Sequence, residues 1–78
     1  MKMTQEDFNT LKGFIQPLHT QERYQEYKQQ GLTDRRYRWD LLWSSKPNWP
    51  NIHWLVDTFK ELNDSHIDTA LRKITNTK

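Results

Sequence analysis

Arg35-Arg36-Tyr37-Arg38-Trp39-Asp40-Leu41-Leu42-Trp43 decides how this 78-residue chain is read. Three arginines interleave with three aromatic rings and two leucines, more bulky apolar groups than one buried helix face can use. A helix advances about 100° per residue, so Tyr37 and Leu41 share one side while Trp39 and Trp43 share nearly the opposite one. One set can enter the chain's own core. The other needs a second surface, and a partner can supply it.

Reading outward, Gly31-Leu32-Thr33 stops one helix and opens the next. Gly31 suits a left-handed stop, Leu32 can pack back on the preceding turn, and Thr33 caps a helix that runs to about Ser45. Upstream, Thr20 caps a helix with Glu22 in its first turn and only Tyr24 and Tyr27 to turn inward. The chain's first helix starts at Thr4, with Asp7 as a short capping partner. Its apolar stripe is Phe8, Leu11, Phe14 and Ile15, and Pro17 ends it. Downstream, Lys46-Pro47-Asn48-Trp49-Pro50-Asn51 is a rigid turn, and Pro50 fits the first position of a fourth helix. Ile52, Leu55, Val56, Phe59 and Leu62 fall within an arc of roughly 120°, the cleanest amphipathic pattern in the chain. Asn63-Asp64-Ser65 breaks it. Ser65 with Asp68 reads as a capping box before a last stripe of Ile67, Ala70, Leu71 and Ile74. Thr75-Asn76-Thr77-Lys78 is expected to fray. No stretch alternates like a strand, so residues 1–78 are read as a single all-α domain, a small irregular bundle of four to five short helices.

The mean hydropathy of −1.12 is low, but aromatics reach 13% with four tryptophans, which separates this chain from disordered ones. A chain this short is near the size at which one core only just suffices, so a homodimer or a bound partner would add useful burial. The absence of cysteine excludes disulfides and thiolate metal sites. A polar start without a signal-peptide run, and no apolar stretch longer than Leu41-Leu42-Trp43, lead to the expectation of a soluble, cytoplasmic protein with no membrane span. The formal charge of +2 is concentrated between Lys28 and Lys46, where five basic residues face Asp34 and Asp40.

Two readings of the Gly31 junction stay open. A helix-turn-helix reader of DNA also joins two helices by a short turn containing glycine, and would present Arg35, Arg36 and Arg38 to base edges. Tyr27 stands where that motif wants a small residue, and Asp40 where it wants an apolar one. The plainer reading is an αα-hairpin with a glycine cap. The arginines can be solvated or paired with Glu22, Glu26 or Asp40, with Asp34 and Arg38 four apart as a weak intrahelical pair. Trp43 fits the core and Trp49 fits a staple on the Pro47–Pro50 turn. Trp39 and Trp54 are harder to absorb, and with Arg38 they form a candidate contact patch, since tryptophan and arginine dominate interface hot spots. The alternative packs all four indoles internally.

Asp64-Ser65-His66-Ile67-Asp68 alternates metal-ligating atoms, but a calcium loop needs a central glycine and a closing glutamate, and Thr75 stands in the glutamate's place. His19, His53 and His66 lack zinc-ligand spacing. No phosphate-cradling glycine loop occurs, and serine, histidine and aspartate form no recognisable triad. The expectation is no enzyme, no catalytic residue, no metal and no cofactor.

Arg36-Tyr37-Arg38-Trp39-Asp40-Leu41-Leu42-Trp43 and Asn63-Asp64-Ser65-His66-Ile67-Asp68-Thr69-Ala70-Leu71-Arg72-Lys73-Ile74 together resemble small proteins of unassigned role carried by tailed phages and prophages. The resemblance covers about half the chain. It implies a cytoplasmic phage accessory protein that binds and redirects a host protein, and it carries over no functional residue. The leading expectation is therefore a non-enzymatic protein-binding module using Arg35, Arg36, Arg38, Trp39, Trp43 and Trp54. The second is a DNA-binding protein reading through the helix that starts at Thr33. The third is a homodimer that hides its tryptophans in its own interface.

Overall fold

The computed structural model describes residues 3–76, and among them five α-helices and no strand. They are α1 (Gln5–Ile15), α2 (Gln21–Gln29), α3 (Asp34–Ser44), α4 (Trp54–Phe59) and α5 (Asp64–Thr75). Two single 3-10 turns, Gln16–Leu18 and Lys46–Asn48, each hold a proline and turn the chain between helices. The small all-α bundle expected from the sequence is what forms.

Most caps follow the side-chain chemistry. Thr4, Thr20 and Thr33 accept hydrogen bonds from the backbone N–H groups of Asp7, Arg23 and Arg36 at 3.1, 3.0 and 3.1 Å. Each satisfies a donor that the first helical turn leaves open. At the end of α2, Gly31 takes φ +77°. Its N–H reaches Lys28 O, and the Leu32 N–H reaches Tyr27 O, both at 3.0 Å, the paired bonds of a Schellman stop.

The core is built on α3, which packs against α1, α2 and α5 while α1 also meets α5. Leu11, Ile15, Leu41, Leu42, Leu71 and Ile74 lie in one buried cluster that also takes in Trp49, Leu55 and Phe59. Tyr37 is fully buried at the junction with α2. Tyr24 and Tyr27 meet its ring edge-on at 5.2 and 5.1 Å, and its hydroxyl lies 2.6 Å from His19 Nδ1. Desolvation pushes the Tyr37 phenol up from its ordinary pKa. A helix with no fully buried residue of its own, α2, is therefore held by two tyrosines on a third.

Three local expectations are overturned. Pro50 does not open α4, which begins at Trp54. Asn51 Oδ1 accepts the His53 N–H at 2.9 Å, and this side-chain-closed turn delays the helix. Ile52 is left in the turn at 67% exposure, and Val56 is 66% exposed. The six residues of α4 present only Leu55 and Phe59 to the core, with Trp54 and Leu62 partly covered. Secondly, α5 is capped by Asn63, whose side chain accepts from His66 N–H at 3.1 Å, so Ser65 lies inside the helix and Asp68 caps nothing. Finally, Thr75 is a buried member of α5 rather than a frayed end, and α5 stops at Asn76 in the left-handed region. Thr77 and Lys78 lie outside the described residues.

Candidate docking face

The wheel of α3 divides into two halves. Tyr37, Arg38, Leu41 and Leu42 are buried on one side. Arg35, Arg36 and Trp43 are exposed on the other, with Trp39 and Asp40 partly covered between them. The separation of Tyr37 and Leu41 from Trp39 and Trp43 read from the sequence is present in the structure. Its consequence is an indole, Trp43, that stands 51% exposed while the core behind it is complete.

Arg38 is not on that surface. It is 2% exposed and makes a fork-to-fork pair with Asp68 of α5, Nε to Oδ1 at 2.9 Å and Nη2 to Oδ2 at 3.1 Å. Such a pair is compatible with burial because both groups are charged and their hydrogen bonds point at each other. Burial alone would raise the Asp68 carboxyl's pKa. The hydrogen bonds from Arg38 and the positive charges of Arg38, Arg35 and Arg72 outweigh it, and hold it below the ordinary carboxylate range. The expected pairing of Asp34 with Arg38 gives way to another. Asp34 Oδ1 accepts from Lys28 Nζ and from the Tyr24 hydroxyl, both at 2.9 Å, which holds its pKa down.

Arg35 lays its guanidinium over the Trp39 ring, 5.7 Å from the centroid, within the range of a cation–π contact. The Trp39 Nε1–H donates to Asp68 Oδ1 at 3.2 Å, so this indole is fixed at its polar end and left partly open across its face. Arg36 pairs with Asp40 one turn on, Nε to Oδ2 at 3.1 Å. Asp40 in turn accepts the Tyr27 hydroxyl at 2.8 Å. That bond raises the Tyr27 pKa. Tyr27 and Asp40 depart from the helix-turn-helix pattern, as do Trp39 and Trp43 on its second helix, and the first two are bonded to one another across the α2–α3 junction.

The expectations for Trp43 and Trp49 divide differently. Trp43 does not fill the core, because a position one turn beyond Trp39 follows it outward. Trp49 takes the interior place at 7% exposure. Its Nε1–H donates to Ser45 Oγ at 2.9 Å, and Ser45 donates to Leu42 O, pinning the Pro47–Pro50 turn to the end of α3. Ring centroids then step from Trp43 to Trp49 at 6.1 Å, from Trp49 to Trp54 at 5.5 Å, and from Trp54 to Phe14 at 5.2 Å. Trp54 is thus a partly covered rung of an internal ladder. Trp43 is its exposed end.

The structure brings Arg35, Trp39 and Trp43 onto one face with Arg36 beside them, withdraws Arg38 into the scaffold, and places Trp54 behind the face. Sequence reasoning missed Asp68 and Arg72. A signal for Asp68 was present: on the α5 wheel it lies within about 60° of Leu71, at the margin of the apolar arc, where an unpartnered carboxylate would be costly.

Among the described residues no group of three or more histidine, aspartate, glutamate or cysteine side chains is gathered as a metal site would require. No helix among them is long and apolar enough to cross a membrane. Comparison with protein-family models, with curated proteins and with solved structures finds no match. Fold and site together define a small all-α bundle with a cationic, tryptophan-bearing face.

Proposed function

We propose that this chain is a non-enzymatic module that binds another protein through the outward half of α3, with Trp43 as the anchor and Arg35 and Trp39 beside it. One observation supports the reading above the rest. Trp43 is half exposed on a helix whose opposite side already completes the core, so its exposure is not a shortage of packing. Tryptophan and arginine are the side chains whose removal most often costs binding energy at interfaces. In the setting implied by the phage resemblance, the partner is a host protein and the site of action the cytoplasm.

The DNA reading is weaker on this geometry. Its reading set shrinks to Arg35 and Arg36, since Arg38 is given to Asp68, and Arg36 already faces Asp40. Capture from host lysate on immobilised wild-type chain and on Trp43→Ala tests the proposal. A protein retained by the first and lost by the second supports it. Identical retention by both contradicts it, as does a random duplex shifted in a gel at low salt with the steep salt dependence of phosphate contacts.

A further inference from the structure

The outward face of α3 continues onto α5 through Asp68. Arg38 occupies both oxygens of this carboxylate, yet two further guanidiniums converge on Oδ2, Arg72 Nε at 3.1 Å and Arg35 Nη1 at 3.9 Å. The second distance is longer than a hydrogen bond. The Arg35 and Arg72 side chains are 55% and 54% exposed against 4% for Asp68, so the carboxylate forms a floor and the two cations its rim. Trp39 belongs to the same small area, with Arg35 over its ring and its Nε1–H on Asp68 Oδ1.

Each guanidinium carries five N–H donors in a fixed fork that matches a carboxylate. Among the described residues, the Arg72 guanidinium donates only through Nε and the Arg35 guanidinium makes no hydrogen bond. Both face one oxygen, Arg72 through Nε and Arg35 more loosely through Nη1, and both side chains are more than half exposed, so donors remain for an incoming group. We infer that Arg35 and Arg72 form a clamp for a carboxylate side chain on an acidic segment of a partner protein, with Trp39 as the apolar wall beside it. The clamp rests on the docking face proposed above and gives that face its chemical preference. Complementary charge is the argument: the rim is cationic and the buried carboxylate is already engaged by Arg38. A nucleic acid backbone fits less well, because it rewards a row of free cations, whereas Arg36 beside this rim is paired with Asp40 and the neighbouring exposed group is the indole of Trp43.

The test is a selection of displayed random peptides on immobilised full-length chain, followed by titration of an enriched synthetic peptide against wild type, Trp43→Ala and the Arg35→Gln/Arg72→Gln double variant. Far-UV circular dichroism checks that each variant is folded. Enriched sequences should place aspartate or glutamate next to an aromatic or aliphatic residue. The double variant should bind the peptide about ten-fold more weakly, with the wild-type affinity falling as salt rises. No enrichment, enrichment without an acidic bias, equal binding by the double variant, or displacement of the peptide by a short random duplex at comparable concentration would each overturn the clamp. Peptides without acidic bias that are still released by Trp43→Ala would remove the clamp and leave the docking face standing. Indifference to all the variants would remove both.

Discussion

Asp68→Asn is the substitution that weighs most on the scaffold. The change keeps size and shape but removes the negative charge that Arg38 faces at 2% exposure. Breaking a buried ion pair from one side typically costs about 3–5 kcal/mol, because the remaining charge is left in a poorly solvating site. A chain of this length has on the order of 4–12 kcal/mol of total stability, so the loss is a large share of it. Arg72→Gln provides the control. It breaks a contact to the same carboxylate at 3.1 Å, but from a side chain 54% exposed, where water replaces the lost partner. That change should cost less than about 1 kcal/mol. Urea unfolding followed by far-UV circular dichroism measures both, and the expected result is a wide separation of midpoints with similar slopes. Equal costs for the two variants, or a loss under about 1 kcal/mol for Asp68→Asn, would refute the argument that burial of Arg38 sets the value of this pair.

Further outcomes follow from the same structure. Gly31→Ala should destabilise by about 1 kcal/mol, because φ is +77° and no atom lies within 4 Å of the added Cβ, so the cost is that of the backbone alone. Gly13→Ala, in the interior of α1 with equally open space, should have the opposite sign and stabilise by roughly 0.5–1 kcal/mol in the same urea assay. Trp49→Phe should lower stability by about 1–2 kcal/mol by removing the indole donor to buried Ser45, whereas Val56→Gln at an exposed position should change it by less than about 0.5 kcal/mol. On acidification, the unfolded chain takes up a proton at Asp68 before the folded one does. The stabilisation linked to this carboxyl is therefore complete above about pH 4 and drains as pH falls through its lowered folded value, which melting curves across that range will show as a falling Tm that is blunted in Asp68→Asn.

The parts of this fold that were legible in the sequence are those fixed locally. A threonine before a helix, a glycine after one and a proline that a helix cannot enter each act through the nearest few backbone groups, and these places behaved as read. The opposed faces of α3 also came through, since its eleven residues are enough for the two sides to declare themselves. What could not be read was long-range. Arg38 and Asp68 are thirty residues apart, and although the wheel position of Asp68 hints at burial, nothing in the spacing or composition names Arg38 as its partner. The α4 pattern misled for a different reason. Its apolar arc assumed a helix starting at Pro50, and the Asn51 turn cut it to six residues, leaving Ile52 outside the helix and Val56 within it but turned to solvent. The outward place of Trp43 was encoded in the α3 periodicity, whereas the burial of Trp49 depended on how the Pro47–Pro50 turn folds back, a tertiary choice that no periodicity encodes.

The docking face is tested most directly by the affinity of a captured partner for Trp43→Ala relative to wild type, with Tm measured on the same samples. The account predicts a loss of at least about ten-fold in affinity with Tm almost unchanged, the behaviour of an anchor outside the core. Undiminished affinity, or a fall in Tm as large as that of a core deletion, would contradict it.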